Sequence, residues 1–371
     1  MSDLNLDIAI IGGGIVGAAC AYYLSDKGIS CSIIESEGVG SKASGLAYGG
    51  LNPVSGFEIP GLMWELSQYS SILHTELEAS LGGSAVGDCK YRARDTLNLA
   101  FSARELSELR KHARWIDSCS HFSSTVLKPS EIFEVEPRVS GLVIGGTLTS
   151  GTREVDSHSL TVALALASGC RHIQAHLDSM KFAENKINLV LDDGSELRAS
   201  TVIFSNGTWI TPLLRTIGIN LEIPPLKGEI LRLKTKGVPL DQSIGWKGNY
   251  CTTKNDGLTW AGTTESWSLY DESTTTQGRL SILSNLRVAM PNLVVHKIVR
   301  QTACLRPTTI DGLPAIGQLP SHPNLLVATG AGRKGILYGP AMGKLVADIV
   351  AGIEPELDIK PFRAGRLVSN T

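Results

Sequence analysis

Apolar and polar positions alternate along this chain in two rhythms. Short continuous apolar runs, Ile8–Ile11 and Cys31–Ile34, read as strands buried on both faces, and between them Ala18, Ala19, Tyr22 and Leu24 fall at helical spacing. After Glu35 the pattern breaks, because Gly38–Gly56 (GVGSKASGLAYGGLNPVSG) is too glycine-rich for a helix and too polar for a core strand. A helix is predicted over Gly61–Leu81, a strand over Thr96–Phe101, a charged helix over Ala103–Ser118, and loops around Pro129 and Pro137. Asp156–Ala167 reads as an amphipathic helix, and Ile187–Gly194 as a strand of a small antiparallel meander ending in an Asp–Gly turn. Thr201–Trp209 is a β-branched, buried-looking strand placed to join a parallel sheet beside the first. Residues 221–300 look antiparallel, with alternating strands at Glu229–Thr235 and Leu258–Thr264. The buried pattern then returns in a strand over Asn324–Gly332 and a helix opening at Gly339–Pro340 and running through Ala351.

The first strand–turn–helix–strand carries a chemical meaning. Its turn places Gly12, Gly14 and Gly17 in a G-x-G-x-x-G pattern, and its second strand ends on Glu35. Gly12 permits the tight turn, Gly14 lets backbone approach a pyrophosphate, and Gly17 lets helix and strand pack closely. The helix N-terminus offers N–H groups and a positive dipole end to phosphates, and Glu35 lies where a carboxylate accepts from ribose hydroxyls. With both strands and the helix around it, the motif predicts a bound dinucleotide. The predicted fold class is α/β: a discontinuous Rossmann-type domain of residues 1–90, 146–220 and 301–371. An α+β substrate-binding domain around an antiparallel sheet is assembled from residues 91–145 and 221–300.

Composition narrows the partners. A chain of 371 residues, 42% hydrophobic and 19% charged, is an ordinary globular protein long enough for two domains. A net charge of −2 gives no electrostatic argument for nucleic acid or anionic membrane. No run approaches the roughly 18 apolar residues of a membrane span. The opening MSDLNLD lacks the basic start and apolar core of a signal peptide, and seven scattered cysteines without a C-x-x-C pair read as reduced thiols of a cytoplasmic protein. Eight dispersed histidines predict no metal site.

The opening motif fits NAD or FAD. The chain leaves the domain after the second strand and its last residues return with glycines at Gly330, Gly332 and Gly335, which suits a long flavin lying across several segments. Here the residues carry a resemblance. IIGGGIVGAACAYYL, SKASGLAYGGLNP, FSNGTW, LKGEI and CLRPTTIDGLPAIG…LLVATGAGRKGILYGPAMGKLVADIV resemble the D-amino-acid oxidase-like flavoproteins, in the glycine oxidase and sarcosine oxidase branch, along the whole chain. The resemblance implies FAD contacts at Gly12, Gly14, Ile15, Val16, Glu35, Ser36, Ala43, Ser44, Tyr48, Gly49 and Gly50. Further contacts are implied near Met180 and Gly207 and over Ala331–Leu337, including Arg333, Lys334, Ile336 and Leu337. The GGLNPVSG loop, which departs from glycine oxidase, is expected over the flavin.

Arg306 matches the arginine that binds the substrate carboxylate, and Pro307 pushes it toward extended geometry. A planar guanidinium fixes a carboxylate through two parallel charge-assisted hydrogen bonds; the competing reading is an arginine paired with Asp311. Arg333 matches a second substrate-contacting position; with Lys334 beside it, a surface-facing or phosphate-facing role is the competing reading. Tyr250 matches an active-site tyrosine, with Gly248 where glycine oxidase has a histidine two residues earlier. Trp246, Trp260 and Trp267 are candidates to line an apolar pocket or simply to pack. Cys304 matches the sarcosine oxidase cysteine that links covalently to flavin; non-covalent FAD is favoured here. The implied reaction moves the α-hydrogen of a small amino acid or secondary amine as hydride to flavin N5. The imine then hydrolyses to an oxo acid plus ammonia or amine, and dioxygen or another acceptor takes the electrons. Two alternatives stay open: oxidation of a carboxymethylaminomethyl group on tRNA wobble uridine, and a non-catalytic FAD-binding subunit of a dehydrogenase. A homo-oligomer is compatible with either.

Overall fold

The computed structural model describes residues 4–82, 87–183 and 186–368; part of the opening segment read above as lacking a signal peptide lies outside them. The first strand, Leu4–Ile11, sits in the middle of an eight-stranded sheet. Ser32–Glu35 lies parallel on one side of it and Glu196–Phe204 parallel on the other. The expected strand Thr201–Trp209 therefore begins earlier and stops at Phe204, and Gly207–Trp209 forms a short 3-10 turn. Its two halves serve different neighbours. Residues 196–199 pair antiparallel with Lys186–Leu191, closing the predicted meander with Leu177–Ala183, while Val202–Phe204 pairs parallel with His322–Thr329.

Both faces of this sheet are covered, which explains the unbroken apolar runs. Ile8, Ile10 and Ile33 face helices Ile15–Asp26, Trp64–Leu81, Ser157–Ala167 and Gly335–Val350, and Ala9, Ile11 and Ile34 face the other way, toward Leu213, Leu214 and the meander. Ser157–Ala167, capped by Asp156, buries Leu160, Thr161, Ala163, Leu164 and Ala165 and leaves His158 and Leu166 exposed. The last helix begins at Gly335, so Pro340 lies inside it rather than at its start. Proline brings no N–H for the carbonyl four residues back. The buried ring of His74 takes over, with Nε2 donating 3.0 Å to Ile336 O and 3.1 Å to Leu337 O. Tyr91 hydroxyl lies 2.9 Å from Nδ1 and is its donor, which fixes the tautomer. This helix crosses Ile15–Asp26 closely, since a β-carbon at Gly343 would stand 2.5 Å from Ala19 Cβ.

A second sheet has nine strands. Two distant pieces of chain meet in it where Ser243–Trp246 pairs parallel with Thr96–Ala100. The expected loops around Pro129 and Pro137 contain a strand, Ser123–Leu127, and a helix, Pro129–Val135, with Pro129 at its first position. The antiparallel region also holds a helix, Thr276–Ala289, packed on the sheet through Ile282 and Leu286. Strands Gly145–Ser150 and Val295–Pro307 belong to this sheet, so the seams expected at 145/146 and 300/301 run through strands. No helix among the described residues is long and apolar enough to cross a membrane.

Candidate active site

Between the two sheets lies a cavity of about 1230 Å³, larger than the roughly 300–1,000 Å³ usual for one small ligand. One end is built by the glycine turn. Gly12 has φ +102°, and a β-carbon there would stand 2.7 Å from Asn206 Cα, so only glycine passes. Gly17 does not line the cavity; a β-carbon there would overlap the Gly12 carbonyl oxygen, so it supports the turn from beneath. Helix Ile15–Asp26 starts at Gly14 with no side-chain cap, and Ile15 N–H donates 2.9 Å to Ser44 Oγ. Glu35 is fixed at both oxygens, accepting from Gly13 N–H at 2.7 Å and Glu37 N–H at 3.0 Å. Its remaining lone pairs stay available for hydroxyls.

Gly12, Gly14, Ile15, Val16, Glu35, Ser36, Ala43, Ser44, Tyr48, Gly49 and Gly50 line this one cavity, joined by Gly207, Gly330 and the run Ala331–Leu337. Met180 does not: it is buried in the core beneath the meander, and Ala175, His176, Leu177 and Asp178 line the wall instead. The loop Gly49–Gly56 supplies Asn52, Ser55 and Gly56. Lys334 Nζ pins it by donating 2.6 Å to Asn52 O, and His112 Nε2 lies 2.6 Å from Val54 O. Burial lowers the Lys334 ammonium to about 8. Three buried polar atoms on lining residues, Asn52 Oδ1, Asn206 Oδ1 and the Tyr250 hydroxyl, have no partner among the described residues. Buried polar groups rarely stay unpaired in folded proteins, so a polar ligand fits here. An adenine dinucleotide with a flavin head would fit these features: a helix start at a glycine turn, a carboxylate with open lone pairs and a large cavity.

Arg306 stands on the last residues of strand Val295–Pro307 and lines the same cavity. Its side chain is 11% exposed, and Nη2 donates 2.7 Å to Thr263 Oγ1. Asp311 is not its partner, because that carboxylate binds Arg366 at 2.7 Å. The guanidinium folds back over Gly228, where any β-carbon would overlap it. Gly228, Thr263 and Glu265 were not singled out from sequence, although Gly228 lies in the LKGEI segment. Tyr250 stacks on Tyr48 with ring centroids 4.8 Å apart, and burial with Tyr48 beside it pushes its phenol far up, so it stays a neutral O–H donor. Arg333 lies at the rim, 47% exposed, hydrogen-bonded to Glu265, with Nη1 3.4 Å from Gly248 O. Cys304 is buried against the cavity, and burial raises its thiol. Trp246 lines the cavity, Trp260 packs under Arg232 at 4.0 Å, and Trp267 is 70% exposed. Among the described residues no His/Cys/Asp/Glu cluster could hold a metal.

A family model described as FAD dependent oxidoreductase matches residues 7–349. The chain is 28% identical over 366 residues to a glycine oxidase of Geobacillus kaustophilus, covering 97% of each chain, and 27% identical over 366 residues to one of Bacillus subtilis, covering 98% of each. A crystal structure of glycine oxidase from Geobacillus kaustophilus superposes with TM-score 0.91 at 27% identity, covering 99% of this chain and 100% of that one.

Proposed function

This chain belongs to the FAD-dependent oxidoreductase family, and on that premise we propose that it oxidises glycine and small N-substituted glycines such as sarcosine. Dioxygen is the final acceptor and hydrogen peroxide a product. The observation that carries this reading is Arg306: a nearly buried guanidinium, anchored on Thr263 and lying over Gly228, in the wall of the same cavity that the glycine turn lines. A carboxylate there would take two parallel charge-assisted bonds, which set the orientation of the α-carbon as well as the affinity.

FAD would be held by Gly12, Gly14, Glu35 and Ser44 at its adenosine diphosphate end, and by Tyr48–Gly50 and Ala331–Leu337 toward its ring. The chemistry supplied by bound FAD is acceptance of two electrons, as a hydride from the α-carbon. The chain's own residues do the rest by position. Arg306 holds the carboxylate, and the neutral Tyr250 hydroxyl donates to one of its oxygens. Trp246 and Leu99 supply apolar wall that displaces water. The oxidised amine then hydrolyses to an oxo acid with release of ammonia or a primary amine. A nucleic-acid substrate is disfavoured, since the glycine oxidases of Geobacillus kaustophilus and Bacillus subtilis match this chain over nearly its whole length.

Mixing the FAD-loaded protein anaerobically with glycine, sarcosine, N-ethylglycine and D-alanine tests the proposal. The flavin band bleaches with at least one of them, and air then yields peroxide; no bleaching with any refutes the reading. The buried, protonated Cys304 thiol is a poor nucleophile, so acid precipitation is expected to leave the yellow chromophore in the supernatant.

A further inference from the structure

Glu265 follows the two threonines that anchor Arg306, and one of its carboxylate oxygens reaches both arginines of the site. Oε1 is hydrogen-bonded to Arg333 Nε and stands 3.8 Å from Arg306 Nη1. Both guanidinia line the cavity and Glu265 does not, so the carboxylate meets them from outside. The two contacts are unequal. Arg333 spends its Nε on Glu265 and directs Nη1 to Gly248 O, whereas Arg306 is held chiefly by Thr263 and keeps only a long contact with the carboxylate.

The charge count follows from this arrangement. Two guanidinia and one carboxylate leave a single net positive charge, which one substrate carboxylate neutralises. Of the neighbouring cations, Lys247 is balanced by Glu105, its Nζ 3.4 Å from Oε1, whereas Lys334 is tied to the Asn52 backbone carbonyl and stands outside this count. A substrate carrying two carboxylates would have to displace Glu265 from Arg333, or place its second charge beside a fixed anion.

We infer that Glu265 is a specificity-determining residue, which occupies Arg333 and thereby restricts the site to amines with one carboxylate. The inference rests on the amine-oxidising reading and deepens it. Glu265→Gln keeps the shape and the hydrogen-bonding reach while removing the charge, so Arg333 becomes free to take a second carboxylate in the cavity.

The test uses FAD-loaded protein and two non-reacting probes, acetate and malonate, titrated against the flavin absorbance spectrum, with glycine and iminodiacetate as the matching turnover pair. Wild type is expected to prefer the monocarboxylate of each pair. In Glu265→Gln the ratio of dicarboxylate to monocarboxylate affinity rises about tenfold, the scale of one added charge-assisted hydrogen bond. Arg333→Met in the Glu265→Gln background abolishes that gain. A ratio that stays within about threefold of wild type, or a gain that survives Arg333→Met, overturns the inference. Wild type that binds acetate while the ratio fails to move overturns the role of Glu265 alone. Wild type that perturbs with neither probe and bleaches with no amine overturns the amine-oxidising reading together with it.

Discussion

Gly228→Ala isolates the anion clamp from the rest of the cavity. Gly228 faces Cys304 across the antiparallel pair Pro225–Thr235 and Val295–Pro307, and the Arg306 side chain folds back over it. A β-carbon at 228 would overlap Nη2, Cζ and Nη1 of Arg306, far inside the 3.0 Å that real β-carbons keep from other atoms. The guanidinium is the free end of a flexible side chain, so it swings away at little cost to folding. The clamp does not survive the swing, because the 2.7 Å anchor to Thr263 Oγ1 breaks and the two donors leave the cavity wall. Each charge-assisted bond contributes about 1.5–3 kcal/mol, and the two act as a unit, so about 2–4 kcal/mol of carboxylate binding disappears. That corresponds to a fall in kcat/KM of about 30- to 1000-fold, carried mostly by KM because the carboxylate is bound alike before and during the reaction. Steady-state peroxide release over a range of glycine concentrations measures it, with FAD content and thermal midpoint as controls for folding. A KM within about threefold of wild type, with FAD bound normally, refutes the reasoning.

Two further outcomes follow from buried charge. Burial lowers His74 from 6.5 to about 4, so the unfolded chain binds its proton first as pH falls. The stability associated with neutral His74 is fully present above pH 6.5 and is lost between there and about pH 4, amounting to about 3 kcal/mol. Urea midpoints across that range should fall more steeply for wild type than for His74→Gln, which keeps a donor for Ile336 O; parallel slopes would count against it. Glu154 is the buried anion that Arg92, Arg94 and Lys254 converge on, the latter two at 3.4 and 3.6 Å. Glu154→Leu leaves those cations uncompensated and should cost about 3–5 kcal/mol in urea unfolding; a loss below about 1 kcal/mol would show the cluster to be dispensable.

Much of the glycine-turn region was legible because its constraints are local. A glycine turn, a helix and a terminal acid within 29 residues each need particular residue types, and Gly12, Gly14 and Glu35 line one cavity while Gly17 packs beneath it. The strands around them were readable because both faces are buried, which leaves an unbroken apolar run. Boundaries were lost where a long-range contact overrides a local signal. Pro340 reads as a helix start, yet His74, 262 residues away from Ile336, supplies the bond that lets the helix begin at Gly335. Pro137 and Pro129 read as loop markers, whereas Pro129 opens a helix. Met180 was misplaced by a few residues along a meander whose wall is made by Ala175–Asp178. Gly228 and Glu265 were invisible for a different reason: their roles exist only through Arg306, and nothing within five residues of either announces an arginine from another strand.

The central claim is that Arg306 fixes the substrate through its carboxylate. Comparing glycine with glycinamide in wild type and Arg306→Met measures that most directly. Wild type should favour glycine in kcat/KM by about a hundredfold or more, and Arg306→Met should lose most of that preference while still binding FAD. A variant that keeps the full preference for the acid over the amide would contradict the account.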